Sequence, residues 1–311
     1  MTGLGPIAMV AVDQCPVCAA RNRVFLFQGR DRLHGMPGEF SVVRCTDCLS
    51  VYLSERPFDL SAYYPADTYA AFVGATRVSH PSQFRARQFG LRQWRRLLVT
   101  LKPDGGSLLD VGCGTGDFLS VMQQVSGWRV SGLEPNLNAV RFAQQRGLNV
   151  IQGELPEPKL REQYDAFTLW HVLEHTPNPG QVLAEIKRLL KPDGALVLSV
   201  PVVDSVEARI FGECWAGYDV PRHLVTFTRS SLRQFLGQAG FQVEEQFGVV
   251  RGLASLRLSL GLWLDNQPRL GRHTRRWLKR GILPVLFAYL RLKNGRRTDV
   301  AVFVARTATT Q

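Results

Sequence analysis

The sequence predicts an α/β fold: a seven-stranded, mostly parallel sheet with helices on both faces, preceded by a small cysteine-containing module. Two observations carry this expectation. From Ser107 onward, short runs rich in β-formers alternate with helical stretches, the rhythm that builds a parallel sheet. Ahead of that rhythm stand two Cys-x-x-Cys pairs.

The pairs are Cys15-Pro-Val-Cys18 and Cys45-Thr-Asp-Cys48, with the turn-like Gly35-Met-Pro-Gly38 between them. Two such knuckles let four thiolates converge on one Zn2+, each short loop supplying two ligands. The expectation is a zinc-ribbon-like module over residues 1–53, its structural zinc held by Cys15, Cys18, Cys45 and Cys48. A site closed by four cysteines keeps no open position for catalysis, so the metal acts as a staple that supplies folding free energy.

Residues 54–104 read as a connector and a basic amphipathic helix. Tyr63, Tyr64, Tyr69 and Phe72 suit packing of the module onto its neighbour. Over Gln83–Leu101, Phe84, Leu91, Trp94, Leu97, Leu98 and Leu101 fall mostly on one helical face amid arginines.

The third segment, 105–311, holds the sheet. Strands are expected at Ser107–Val111, Arg129–Leu133, Asn149–Ile151, Asp165–Trp170, Ala195–Val200, Gln242–Phe247 and Val300–Arg306. Helices are expected at Asp117–Val125, Asn138–Arg146, Pro179–Leu190 and Ser230–Ala239. The stretch 248–298 far exceeds an ordinary connection and reads as a basic helical insertion.

The run Leu108-Leu-Asp110-Val-Gly112-Cys-Gly114-Thr-Gly116-Asp places glycines between the first strand of this sheet and its helix. There the backbone must turn tightly and approach a ligand closely. Its spacing differs from the dinucleotide fingerprint. Glu134, at the end of the second strand, stands where a carboxylate can accept both hydrogen bonds of a ribose diol.

With these residues the sheet is Rossmann-like, and over about Gly105–Pro201 the chain resembles the class I S-adenosylmethionine-dependent methyltransferases. Within them it is similar to the ubiquinone-biosynthesis O-methyltransferases and polysaccharide-cluster enzymes. The resemblance implies that Asp110, Gly112, Gly114 and Gly116 contact the methionine and ribose portion of S-adenosylmethionine. It makes Glu134 the ribose acid and sets Gly153-Glu154-Leu155 beside adenine. A nicotinamide-binding domain is the competing reading of the loop, and the order of the several motifs disfavours it.

Trp170-His171-Val-Leu-Glu174-His175 follows the fourth strand of the sheet. His-x-x-Glu-His is also the string of an inverted zinc protease, but here it occupies a strand exit above which ligands bind. The resembled enzymes carry Glu-x-x-Glu-His and can hold a divalent cation there, whereas this chain has His171 in place of the first Glu. His171 and His175 each fit a general base or a residue packed on the cofactor rim. Downstream, Trp215-Ala-Gly-Tyr218-Asp219-Val-Pro-Arg222-His223-Leu-Val-Thr-Phe227-Thr can form a lid. Trp215 and Tyr218 are candidates to meet substrate, Arg222 to hold an anionic substrate, and His223 either to accept a hydroxyl proton or to order the loop. Cys113 and Cys214 read as packing residues.

The expected reaction is methyl transfer from S-adenosylmethionine to oxygen on a small-molecule, glycan or lipid-linked acceptor. A C-methyltransferase acting on a nucleotide-linked sugar is the rival within the class. A zinc-ribbon nucleic-acid-binding protein with a vestigial methyltransferase fold is the rival outside it, and the intact glycine loop with Glu134 argues against that one.

Composition bounds the setting. With 45% hydrophobic and 21% charged residues in 311, the chain is not a disordered tail. Six cysteines are too sparse for a disulfide scaffold, and the Met1 end shows no basic segment followed by an apolar core, so a cytoplasmic location is expected. The net charge of +12 has an address: Val249–Asp299 holds twelve Arg/Lys against two Asp, and Pro81–Lys102 holds six basic residues and no acid. The remaining residues are together net negative. The insertion's apolar parts, Leu253–Leu264 and Trp277–Leu292, accompanied by Arg272, Arg275, Arg276, Lys279, Arg280, Arg291 and Lys293, suit either packing on the core or peripheral contact of 253–292 with anionic lipid at the inner face of the membrane. Nucleic acid is disfavoured, because few polar hydrogen-bonding residues are interspersed.

Overall fold

The computed structural model describes residues 8–65, 81–248, 253–267, scattered positions between 271 and 289, and 298–308, with 81–90 and 253–254 as backbone alone. Tyr69, Phe72, the Phe84 side chain, Arg272, Arg276, Lys279, Arg280, Arg291, Lys293 and much of Trp277–Leu292 lie outside the described residues.

Five short strands open the chain: β1 (Met9–Ala11), β2 (Arg23–Gly29), β3 (Phe40–Cys45), β4 (Val51–Leu53) and β5 (Glu55–Pro57). The two cysteine knuckles repeat one turn. Ala19 and Leu49, each directly after the second cysteine of its pair, take φ of 59° and 64°. The Cys15 and Cys45 amides donate to the Ala20 and Ser50 carbonyls at 2.8 and 2.9 Å. The left-handed residue turns the chain back so that each loop presents both thiols to one side.

Paired structure continues past the boundary expected at residue 53, because β5 is the antiparallel partner that β1 requires. Tyr63 is buried edge-on against Phe40, and its hydroxyl donates to the Pro37 carbonyl at 2.7 Å.

After α1 (Pro81–Leu101) comes the large sheet, built from β6 (Gly106–Val111), β7 (Trp128–Glu134), β8 (Val150–Gln152), β9 (Tyr164–Trp170) and β10 (Leu190–Pro201), then β12 (Phe241–Gly248) and β13 (Val300–Thr307). Its order is β12-β13-β10-β9-β6-β7-β8. β13 is antiparallel to both neighbours, and the other pairings are parallel. All seven expected strands are present, most extended by a residue or two. β10 starts earlier than expected because Leu190 already pairs with Tyr164, ahead of a register shift before Ala195.

The helices between them are α2 (Asp117–Met122), α3 (Leu137–Gln145), α4 (Pro179–Leu189), α5 (Val206–Phe211) and α6 (Arg229–Gln238). Four of these five starts have a local side-chain cause. The Asn136 side chain caps α3, Pro179 occupies the first turn of α4, Ser205 caps α5, and Thr228 forms a capping box with Ser231 at α6.

Strand alternation sorts the core into two layers. Leu109, Phe167 and Leu196 pack with α4 and α6, while Leu108, Ala166 and Val197 pack with Trp94 and Leu98 of α1 and Phe118 and Met122 of α2. The cysteine module joins the first layer through Cys15, Val17, Val43, Cys45 and Tyr52.

A two-residue strand, β11 (Val225–Thr226), leaves the large sheet's domain and pairs antiparallel with β4, giving the order β11-β4-β3-β2. The buried Ser50 hydroxyl reinforces this seam by donating to Ser231 Oγ at 2.8 Å. The N-terminal module is thus stitched to the segment that carries β11.

Inside the insertion, α7 (Leu253–Asp265) is apolar nearly all round, yet Leu256, Leu260 and Leu264, four residues apart, are the large apolar side chains it buries, against Ala208, Phe211 and Trp215. Leu258 and Trp263 stay exposed. This part of the insertion packs on the body by one face. No helix of the described residues is long and apolar enough to cross a membrane.

Leu260→Ala should therefore cost about 2–5 kcal/mol, seen as a lower urea midpoint at unchanged slope. Leu258→Ala, at a position 41% exposed, should stay within about 0.5 kcal/mol of the parent. Equal midpoints for the two variants would show that this face does not anchor α7.

Candidate functional site

The turn after β6 can be made only by glycine. Gly112, Gly114 and Gly116 have φ of 65°, 55° and 79°. A Cβ at Gly112 would meet Val172 Cγ2 at 2.6 Å, and one at Gly116 would meet Leu148 Cδ1 at 2.4 Å. Conformation and space exclude side chains together. The turn is pinned from behind, where the Gly112 and Cys113 amides donate to the Leu133 carbonyl at 2.7 and 3.2 Å.

Glu134 holds the loop. Its Oε2 accepts from the Gly114 amide at 2.8 Å and its Oε1 from the Asn136 amide at 2.9 Å, leaving each oxygen further acceptor capacity. Beneath it, the Thr168 hydroxyl donates to Asp110 Oδ1 at 2.6 Å. Burial pushes Asp110 up to about 7, with the Thr168 hydrogen bond opposing and the Glu134 charge adding. Burial also raises Glu134, against the pull of its two backbone donors. Two buried acids side by side disfavour each other's charge, and a ligand bringing hydroxyl donors and a positive centre relieves that cost. The residues fit S-adenosylmethionine on these grounds. Beyond β8, the Gly153 amide donates to the Glu134 carbonyl at 3.1 Å; Glu154 is exposed at the rim, while Leu155 is buried in the core.

The exit of β9 gathers the histidines. His171 has φ of 59°, a conformation costly for a side chain of its size, and its Nδ1 lies 3.1 Å from Glu174 Oε1. Glu174 is fully buried; burial alone would raise its carboxyl, but the His171 hydrogen bond and the three surrounding histidines bring it below the usual carboxylate range. His175 Nδ1 is 3.0 Å from the Arg222 carbonyl and 2.9 Å from the Tyr64 hydroxyl. His223 Nδ1 is 2.7 Å from the Gly217 carbonyl. A carbonyl only accepts, so both imidazoles carry their proton on Nδ1 and present Nε2 as a lone pair. The two rings meet edge to face, 4.5 Å between centroids. Burial drives His175 down to about 4, and His223 beside it adds to the effect. Ligand atoms of Glu174, His175 and His223 lie within 4.8 Å of one another. Among the described residues it is this grouping, with His223 from the lid in place of His171, that has the spacing of a cation site at this end of the sheet.

The lid departs from its expected role at one residue. Arg222, expected to hold an anionic substrate, has a side chain 0% exposed. Its five N–H groups are already taken, by Asp31 at 2.8 and 2.9 Å, by Asp219 at 2.6 and 3.0 Å, and by the Tyr63 carbonyl at 3.0 Å. No donor remains for a substrate. Trp215 is 1% exposed and lies under Leu260 of α7. Tyr218 packs edge-on against Phe27 and Trp215, at 5.1 and 5.2 Å. Phe27, Arg32, Trp215, Tyr218 and Leu262 line a cleft where the cysteine module, lid and α7 meet.

Two residues escaped sequence reasoning. Tyr64 registers there only as one connector aromatic among several, and Asp31 belongs to no motif. Tyr-Tyr before a proline gives no sign that the second ring reaches a histidine 111 residues away.

The four thiols are gathered as expected. Sγ atoms of Cys15 and Cys48 are 3.6 Å apart, those of Cys18 and Cys45 3.5 Å, and all four lie within 4.8 Å of one another. A tetrahedral Zn2+ with bonds of about 2.3 Å spaces its sulfurs by about 3.8 Å, so this donor set fits zinc.

Residues 84–246 match the family model described as a methyltransferase domain. A ubiquinone biosynthesis O-methyltransferase of Pseudomonas savastanoi pv. phaseolicola is 31% identical over 160 residues, covering 47% of this chain and 68% of the relative. That of Dechloromonas aromatica is 30% identical over 172 residues, 50% of this chain and 73% of the relative. The crystal structure of coclaurine N-methyltransferase bound to N-methylheliamine and SAH is 16% identical, with a TM-score of 0.46, covering 70% of this chain and 72% of that one. The matched region spans more than half of the chain and contains both the glycine cradle and the acid that pins it, and the protein belongs to the class I S-adenosylmethionine-dependent methyltransferases.

Proposed function

We propose that this methyltransferase acts on an oxygen of a small-molecule, glycan or lipid-linked acceptor, with His223 as the base that receives the hydroxyl proton. The observation that carries the reading is the pair of Nδ1–H imidazoles at the β9 exit, which Val172 joins directly to the glycine cradle. The names of the relatives, which are O-methyltransferases, support oxygen as the atom methylated.

Bound S-adenosylmethionine supplies a methyl group already activated by its positive sulfur. The chain's own residues must then hold it, align the acceptor, exclude water and take a proton. Glu134 would bind the ribose hydroxyls, Asp110 and the glycines would border the methionine portion, and Glu154 and Leu155 would flank adenine. Of the histidines, His175 is a weak base in its buried position and serves to orient its neighbour, while His171 fixes Glu174. His223 keeps a side chain 10% exposed, with its Nε2 4.0 Å from Asp219 Oδ2. Trp215 and Tyr218 shape the acceptor side of the lid.

A structural Zn2+ on Cys15, Cys18, Cys45 and Cys48 completes this reading, as does a cytoplasmic enzyme that meets anionic lipid through 253–292 and leaves nucleic acid alone. Exposed Leu258, Trp263, Ile282, Val285 and Tyr289 on the insertion support the lipid contact.

Calorimetric titration with S-adenosylhomocysteine and an acceptor screen by methyl mass shift test the chemistry together. Glu134→Ala should weaken binding at least about ten-fold, since a hydrogen bond to a charged group contributes about 1.5–3 kcal/mol. His223→Ala should bind normally but lose about 10²–10⁴-fold in kcat. Full turnover by His223→Ala would remove it from the mechanism, and methylated carbon in the product would replace O-transfer by C-transfer. Elemental analysis should find one zinc per chain, lost in Cys45→Ser; a metal-free but equally stable parent would contradict the staple. Flotation with anionic vesicles should carry the parent upward and leave Trp263→Asp behind, and no flotation of either would dismiss the lipid contact.

A further inference from the structure

We propose that Asp31 of the cysteine module is a positioning residue for the His175–His223 pair, acting through Arg222. The proposal rests on the reading that these imidazoles face the acceptor, and it extends the catalytic centre into a module that carries no catalytic motif.

Asp31 lies between β2 and β3 and is itself locked. Its Oδ1 accepts from the Leu33 and His34 amides at 3.1 and 3.0 Å, an Asx turn that sets the carboxylate plane before any partner arrives. Arg222 meets that plane in the two-point fork geometry, Nη1 to Oδ2 at 2.9 Å and Nη2 to Oδ1 at 2.8 Å. Asp219 takes the opposite edge of the guanidinium, and the Tyr63 carbonyl takes the last N–H. Burying an arginine between two carboxylates is a poor device for stability, since apolar residues of similar volume commonly do as well. What the fork fixes is position.

The position it fixes is read out by the main chain. The Arg222 carbonyl is the acceptor for His175 Nδ1–H. The Arg222 and His223 amides both donate to the Asp219 carbonyl, at 2.8 and 3.1 Å, and the Leu224 amide donates to the Glu174 carbonyl at 2.8 Å. Arg222 and Leu224 are thereby registered against the β9 exit, and His223 lies between them. The side chain that holds this register is fixed by the cysteine module 191 residues away.

One feature of His175 makes the proposal measurable. Its Nδ1 touches both the Arg222 carbonyl and the Tyr64 hydroxyl. A hydroxyl can donate or accept and so tolerates either ring tautomer, whereas a carbonyl tolerates only Nδ1–H. The carbonyl, held through Asp31, is what makes His175 a single tautomer with its lone pair on Nε2.

The experiment is a long-range proton–nitrogen spectrum of the full chain labelled with 15N-histidine, saturated with S-adenosylhomocysteine, and assigned by single His→Gln substitutions. In the parent, His175 and His223 should each appear as one Nδ1–H tautomer. Asp31→Asn turns an acceptor into an amide facing the guanidinium, and Asp31→Glu keeps the charge but displaces it by a methylene. Both should leave S-adenosylhomocysteine affinity unchanged while the two His175 nitrogen shifts converge toward a tautomer mixture. Asp165→Asn, which breaks the Lys102, Lys191 and Ser107 contacts at the other end of β9, is the structural control and should leave His175 as in the parent. The proposal is overturned by a parent in which His175 is not Nδ1–H, by a single His175 tautomer in both Asp31 variants, or by equal mixing in Asp165→Asn. Because the spectrum is taken with no acceptor present, it fails independently of the base assignment, which only the turnover of His223→Ala reports.

Discussion

An arginine can be buried without exposure only where all five of its N–H groups find acceptors, and around Arg222 those acceptors come from three stretches of chain: Asp31 before β3, Tyr63 after β5, and Asp219 in the lid. Removing any one of them leaves a buried N–H without its acceptor. The cysteine module, the connector and the lid are therefore not free to adopt independent positions. Much of what distinguishes this chain from a bare methyltransferase sheet follows from that one requirement, including the pairing of β11 with β4 and the approach of Tyr64 to His175.

The sheet was legible in the sequence because parallel strands covered on both faces are written as short apolar runs, and because the glycine turn after β6 leaves no room for a Cβ at Gly112 or Gly116. The cysteine knuckles were equally plain, since their spacing is itself the geometry of the ligand set. The lid was not. A two-residue strand, Val225–Thr226, has no periodicity to detect, and its partner lies far back in the chain. Arg222 reads as a substrate contact because an arginine beside a histidine in such a segment looks the same in sequence whether it faces solvent or a buried aspartate. α7 shows a related ambiguity: Leu253–Leu264 is so uniformly apolar that its pattern does not reveal which leucines are covered, and only the packing on Ala208, Phe211 and Trp215 decides.

Charge is divided in the same way as structure. The glycine cradle centres on two buried acids, Asp110 and Glu134, and the β9 exit on a third, Glu174. The arginines that give the chain its +12 lie chiefly in α1 and the insertion. The overall sign is thus set by segments distinct in sequence from the glycine cradle and the β9 exit.

A segment such as 215–228 has little means of ordering itself. Its only strand is two residues long, below what pairs stably without neighbours, and its largest side chains, Trp215 and Arg222, are buried against other parts of the molecule. The large sheet does not supply the missing edge. Beyond Pro201, Val202 makes one isolated bridge to Phe227, and the chain then passes into α5. The edge comes from β4, which follows the second cysteine knuckle directly: the Cys45 amide is tied to the Ser50 carbonyl, and Ser50 is tied to Ser231. An N-terminal module closed by four cysteines is thus placed where a rigid strand is needed to complete a lid encoded much later in the chain. The strand partner of the loop that carries His223 is thus supplied by the first 60 or so residues.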